Sequence, residues 1–71
     1  MALRRTTVCF DVEDSDPARH ARVLTRKKIW NQFQYGPEKQ FAEVVIHEVN
    51  EKRVKKLLKR SGAPNLTGPR R

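Results

Sequence analysis

The sequence predicts a small α+β fold in a single domain, ordered strand, helix, strand, helix. Three observations predict it. Two stretches alternate apolar and polar residues with the period of a strand, around Val8, Phe10 and Val12 and around Ala42, Val44 and Ile46. Two others space apolar residues three and four apart, as on one helix face: Ala18, Ala21 and Leu24, and Val54, Leu57 and Leu58. Finally, 71 residues leave room for one modest core. The expected organisation is a compact domain over residues 1–62 and a flexible basic C-terminal tail over residues 63–71.

Residues 4–12 form the first expected strand, with Thr7, Cys9 and Asp11 on its polar side. The acidic turn at residues 13–17 leads into a helix. Asp16 is its expected cap and Pro17 its first residue, where no amide donor is needed. The helix is expected to run from Pro17 to Phe33, turning Ala18, Ala21, Leu24, Ile29, Trp30 and Phe33 inward. Arg26, Lys27 and Lys28 interrupt that stripe as a solvated basic turn. Residues 34–37, Gln-Tyr-Gly-Pro, break the helix. Residues 40–49 are expected as a second strand, apolar on both sides and hence more buried than the first. Residues 50–60 are expected as a basic amphipathic helix, with Asn50 as its cap and Val49 stapled onto Val54. Gly62 suits the left-handed residue after a helix end, and Pro64 blocks continuation. Residues 63–71 contain Pro, Gly and two terminal Arg, and their removal is expected to leave stability nearly unchanged.

The charge is unevenly placed. Residues 1–51 carry eight Lys/Arg and all eight acids, whereas residues 52–71 carry eight Lys/Arg and no acid, so the net charge of +8 falls in the last twenty residues. Like charges four apart destabilise a helix, and an anionic partner relieves that repulsion. Arg4, Arg5, Lys52, Arg53, Lys55, Lys56, Lys59, Arg60, Arg70 and Arg71 are therefore the candidate partner-binding surface. Trp30 and Tyr35 are candidate aromatic anchors, for a protein interface or for stacking bases.

The chemistry of catalysis is missing from the pattern. His20 and His47 fall on different elements without a third metal ligand at a standard spacing. Gly36, Gly62 and Gly68 are isolated, so no phosphate loop is expected. Glu13 and Asp14 read as solvated turn acids, and Cys9 as a small packing residue. A non-enzymatic binding role follows, with no cofactor, no metal and no small-molecule substrate. The single cysteine, the lack of an apolar run of membrane length and an N-terminus unlike a signal peptide predict a cytoplasmic protein that does not insert in membranes.

Two resemblances add to this reading. Residues 5–12, Arg-Thr-Thr-Val-Cys-Phe-Asp-Val, resemble the opening strand of ribbon-helix-helix repressors. That resemblance implies a dimeric β-ribbon in the DNA major groove, with Arg5, Thr7 and Cys9, or the alternate set, on the bases. The whole chain, in its length, basicity, ordered body and short Arg-ended tail, resembles small lytic-phage transcription regulators that bind bacterial RNA polymerase. This second resemblance implies docking on the polymerase subunits, inhibition of initiation at host promoters, and antitermination, all in the cytoplasm of the host bacterium. Direct nucleic-acid binding through the basic helix and tail is the alternative function.

Overall fold

The computed structural model describes residues 3–12, 16–34 and 40–67. Among these residues the order is β1 (Arg5–Asp11), α1 (Ala18–Arg26), β2 (Asn31–Gln34), β3 (Phe41–His47), a single 3-10 turn (Glu48–Asn50) and α2 (Glu51–Arg60). The α+β expectation holds, but with an extra strand. The sheet is antiparallel throughout, in the order β1-β3-β2. The pairing of β1 with β3 runs from Arg5 opposite His47 to Asp11 opposite Phe41. That of β2 with β3 runs from Asn31 opposite Ile46 to Gln34 opposite Glu43.

β3 is thus the central strand, and its burial alternates residue by residue. Ala42, Val44 and Ile46 point with Val8 and Phe10 of β1 toward the helices, where Leu24, Ile29, Val54 and Leu58 complete the core. α1 packs on β2, α2 packs on β1, and the helices touch each other. Both helices lie on one face of the sheet, and among the described residues the other face has no helical layer. The helix layer is tied by a buried polar link. The Ser61 hydroxyl donates to Leu58 O at 2.8 Å, and its oxygen accepts from His20 Nδ1–H at 2.6 Å. This assignment of the proton satisfies both groups. His20 also meets Phe10 edge to face, with ring centroids 5.1 Å apart.

The long first helix of the sequence reading is the main correction. α1 ends at Arg26 because Lys28 adopts a left-handed conformation, φ 58°. Lys28 N donates to Thr25 O at 3.0 Å and Ile29 N to Leu24 O at 3.0 Å. This pair of bonds closes a helix around a left-handed residue, with an apolar contact between the two residues that bracket it, here Leu24 and Ile29. Trp30 therefore lies beyond the helix, and Phe33 lies on β2, packed against the core. The same closure ends α2, where the expected left-handed residue is present: Gly62, φ 90°, donates to Lys59 O, and Ala63 donates to Leu58 O.

Three smaller expectations fail at α2 and after it. Asn50 makes no side-chain capping bond, because the 3-10 turn puts it at φ −98°, ψ 3° rather than in the extended conformation of a cap. Val49 is 78% exposed, so it staples nothing. The segment 63–67 is packed rather than a tail. Ala63 and Leu66 lie against the core, Asp11 N donates to Pro64 O at 2.8 Å, and Cys9 and Thr67 exchange two backbone bonds of 3.0 and 2.8 Å. These bonds occupy the outer edge of β1, a common way to protect an edge strand. Cys9, on the expected polar side of β1, is only 1% exposed. β1 pairs along one edge with β3 of the same chain, and its other edge bonds residues 64 and 67 at Asp11 and Cys9. The remainder of the expected tail, residues 68–71, lies outside the described residues.

Truncation after Ala63 removes Leu66 and the acceptors of two β1 amides. It should lower unfolding stability by roughly 2–3 kcal/mol in urea titrations and make the Cys9 thiol reactive toward a disulfide reagent. An unchanged midpoint would contradict the packing of this segment. At the hidden helix end, Lys28→Val should destabilise by about 1–2 kcal/mol, whereas Lys28→Gly should be neutral or stabilising, because only glycine adopts this conformation without a steric penalty. The same titrations decide it.

Candidate functional site

The features with chemical character gather at one end of the sheet, where β1 begins, β2 begins and β3 ends. Arg5 lies opposite His47 in the β1–β3 register. Trp30 immediately precedes β2, whose first residue lies opposite Ile46, so the indole falls beside His47. The two rings stack with centroids 4.5 Å apart and planes 23° from parallel. The Arg5 guanidinium carbon sits over the Trp30 ring, 4.8 Å from its centroid. Arg5 has no carboxylate partner within ion-pair distance among the described residues, so this cation–π contact is its main hold. His47 Nδ1 is buried with no hydrogen-bond partner, and is the sole side-chain atom of that kind among the described residues.

The sequence explains why this end is built as it is. Placing Lys28 in the left-handed conformation turns the chain sharply, so Ile29 enters the core and Trp30 leads into the next strand. Asn31 secures the corner: its side-chain amide donates to Ile29 O at 2.8 Å and to Thr25 Oγ1 at 3.3 Å. On the other side, Glu48 N donates to Arg4 O at 2.8 Å and extends the β1–β3 pairing by one residue. Just beyond that bond, Leu3 and Val49 are 57% and 78% exposed, the two large apolar side chains most open to solvent among the described residues.

Exposed cationic residues lie on the segments that adjoin this end in the chain. Arg4 and Arg5 begin β1, Arg26, Lys27 and Lys28 form the turn before Trp30, and Lys52 and Arg53 begin α2; all seven are exposed. Glu48 and Glu51 are the acids on the adjoining 3-10 turn and first turn of α2, and Glu51 lies 3.9 Å from Lys55. Of the expected surface, Arg5 and Trp30 are brought together by the fold, while Arg4, Lys52 and Arg53 are exposed on the adjoining elements. Lys56 lies farther along α2, and Lys59 and Arg60 occupy its far end. Tyr35, Arg70 and Arg71 lie outside the described residues.

Neither Phe33 nor Phe41 is the ring stacked on Trp30. Phe33 packs against the core, and Phe41 sits at the opposite end of β3. In their place the structure supplies His47, which the sequence offered only as an isolated imidazole. No local signal could have found it, since its partnership with Trp30 depends on the β2–β3 register. The rim of α2 is as expected: Val54 and Leu58 are fully buried and Leu57 partly so, while Lys52, Arg53, Lys56, Lys59 and Arg60 face solvent. Among the described residues there is no group of three or more His, Cys, Asp or Glu side chains able to hold a metal ion. No helix among them is long and apolar enough to cross a membrane.

Comparison with protein-family models, with curated proteins and with solved structures finds no match to this chain.

Trp30 is the only tryptophan, so its fluorescence reports on this end directly. His47→Ala should shift its emission to the red and raise its quenching by acrylamide. Arg5→Ala should do the same to a smaller extent. Spectra unchanged in both variants would rule out the stack in solution.

Proposed function

We propose that the chain is a small, non-catalytic transcription regulator that binds bacterial RNA polymerase in the cytoplasm, lowering initiation at host promoters and promoting antitermination. The observation that carries this reading is the rim of α2. Among the described residues, only Lys55 of its six Lys/Arg has a carboxylate within 4 Å, the 3.9 Å contact to Glu51. The apolar side of the same helix is consumed by the core, so the helix is free to act only through charge. A folded head with an unneutralised cationic rim calls for an extended anionic partner. The whole-chain resemblance names polymerase as that partner. Exposed Leu3 and Val49 and the half-buried Trp30 add the apolar and aromatic groups from which protein contacts draw their affinity. Two modest contacts linked in one body reinforce each other through effective concentration.

A second reading, direct binding of nucleic acid, is favoured by one observation of its own, the Arg5–Trp30–His47 stack on the face of the sheet that no helix covers.

The polymerase reading is tested by capture of purified bacterial RNA polymerase on the immobilised protein with nuclease present. Retention is expected, and it should weaken several-fold when Lys52, Arg53 and Lys56 are replaced by Glu, with unfolding curves close to the parent. Failure to retain polymerase under low-salt conditions refutes the reading.

A further inference from the structure

We infer that the Arg5–Trp30–His47 end of the sheet is a binding site for an unpaired base of a single-stranded nucleic acid, with the flanking phosphates held by the cations around it. The assignment rests on the second reading above and not on the polymerase contact.

Single strands are held by two features together: aromatic platforms for the bases and a positive surface that follows the backbone. Both occur here at one place. Trp30 is partly exposed on a sheet face that no helix covers, and its indole already holds a planar cation, the Arg5 guanidinium, at 4.8 Å from the ring centroid. A guanidinium stacked on an indole occupies the kind of position that a nucleobase takes. It is also the group best suited to a phosphate, through its planar fork of donors. Arg5 has no carboxylate to hold it among the described residues, so it is free to swing from the indole to a phosphate as a base replaces it.

His47 supports the same exchange. It backs the indole at 4.5 Å, and its Nδ1 is buried without a hydrogen-bond partner. No polar contact of that atom pins the imidazole, so a small rotation that widens the stack breaks no hydrogen bond there. Further exposed cations lie on the elements that meet near this end in chain order: Arg4 before β1, the Arg26–Lys28 turn before Trp30, and Lys52 and Arg53 at the start of α2. Arg5 on the ring and exposed cations on the neighbouring elements suit a flexible strand that follows them past its stacked base. A duplex hides its bases in the stack and offers this indole nothing. The sheet end has a stacking residue at its centre and charge at its border, which distinguishes it from α2, whose rim offers charge alone.

The test uses the full chain, with twelve-residue oligoadenylate as RNA and as DNA, and an abasic strand of the same length. Trp30 fluorescence and anisotropy of a labelled strand are followed at two salt concentrations. We expect both base-bearing strands to quench Trp30 on binding. Trp30→Ala should weaken binding by roughly 10- to 100-fold, which is the weight of one stacked base. Trp30→Phe should retain most of the affinity. Arg5→Ala should lower both the affinity and its salt dependence, by about one phosphate contact. Lys59→Ala with Arg60→Ala, at the far end of α2, should change binding much less. The relative affinity of the RNA and DNA arms says which strand the site prefers.

Several outcomes overturn the assignment. If the abasic strand binds as tightly as oligoadenylate, or Trp30→Ala binds like the parent, the contact is electrostatic only; the nucleic-acid reading then survives and the stacking site does not. If no strand binds at low salt, both fail. If polymerase protects Trp30 from acrylamide while oligonucleotides leave it unchanged, the occupant is a protein surface. Should Trp30→Ala fail to fold, the Trp30→Phe, Arg5→Ala and abasic measurements still decide between these results.

Discussion

Strand β3 carries hydrogen bonds on both edges and packing on its inner face, and every other element takes its place from it. Its pairing with β1 and β2 fixes three chain segments side by side, and the strict alternation of its burial assigns each residue to a face. Ala42, Val44 and Ile46 form the floor on which both helices sit. The complementary residues, down to His47, line the face that no helix covers. A slip of one residue would exchange these sets and put the apolar floor in water, so the register is specified by the core itself.

The two helices are each closed around a left-handed residue, and these closures steer the chain into its next role. After α2, Gly62 and Ala63 turn the chain back so that residues 63–67 run along the outer edge of β1 and cover part of the core. After α1, Lys28 does the same work without glycine, and its product is β2. The strain of placing lysine there is offset by the burial of Ile29 and the pairing of β2 with the central strand. In a chain this short, such a segment is a substantial part of the available core.

Structure and charge divide the labour of the surface. Val54 and Leu58 commit α2 to the core, leaving it a cationic rim, while the end of the sheet combines cations with an indole, an imidazole and two exposed aliphatic side chains. The rim supports a contact governed by charge. The sheet end supports a contact in which shape and stacking choose what is bound.

By itself the sequence determined the α+β class, β1, β3 and α2, the Gly62 turn, the buried side of α2, and the concentration of charge in α2. Those features rest on local periodicity and local chemistry, which are written in consecutive residues. It did not reveal β2, since Asn31–Gln34 is short and its lysine-based helix stop lacks the glycine that marks such a turn. It did not reveal that residues 63–67 are packed, because an edge bond to Cys9 depends on a strand more than fifty residues away. Arg4, Arg5, Trp30 and the basic α2 were legible as separate candidates, each by residue type. The meeting of Arg5 and Trp30 at His47 was decided only by the tertiary structure, because the register of three strands, and not any motif, sets these three side by side.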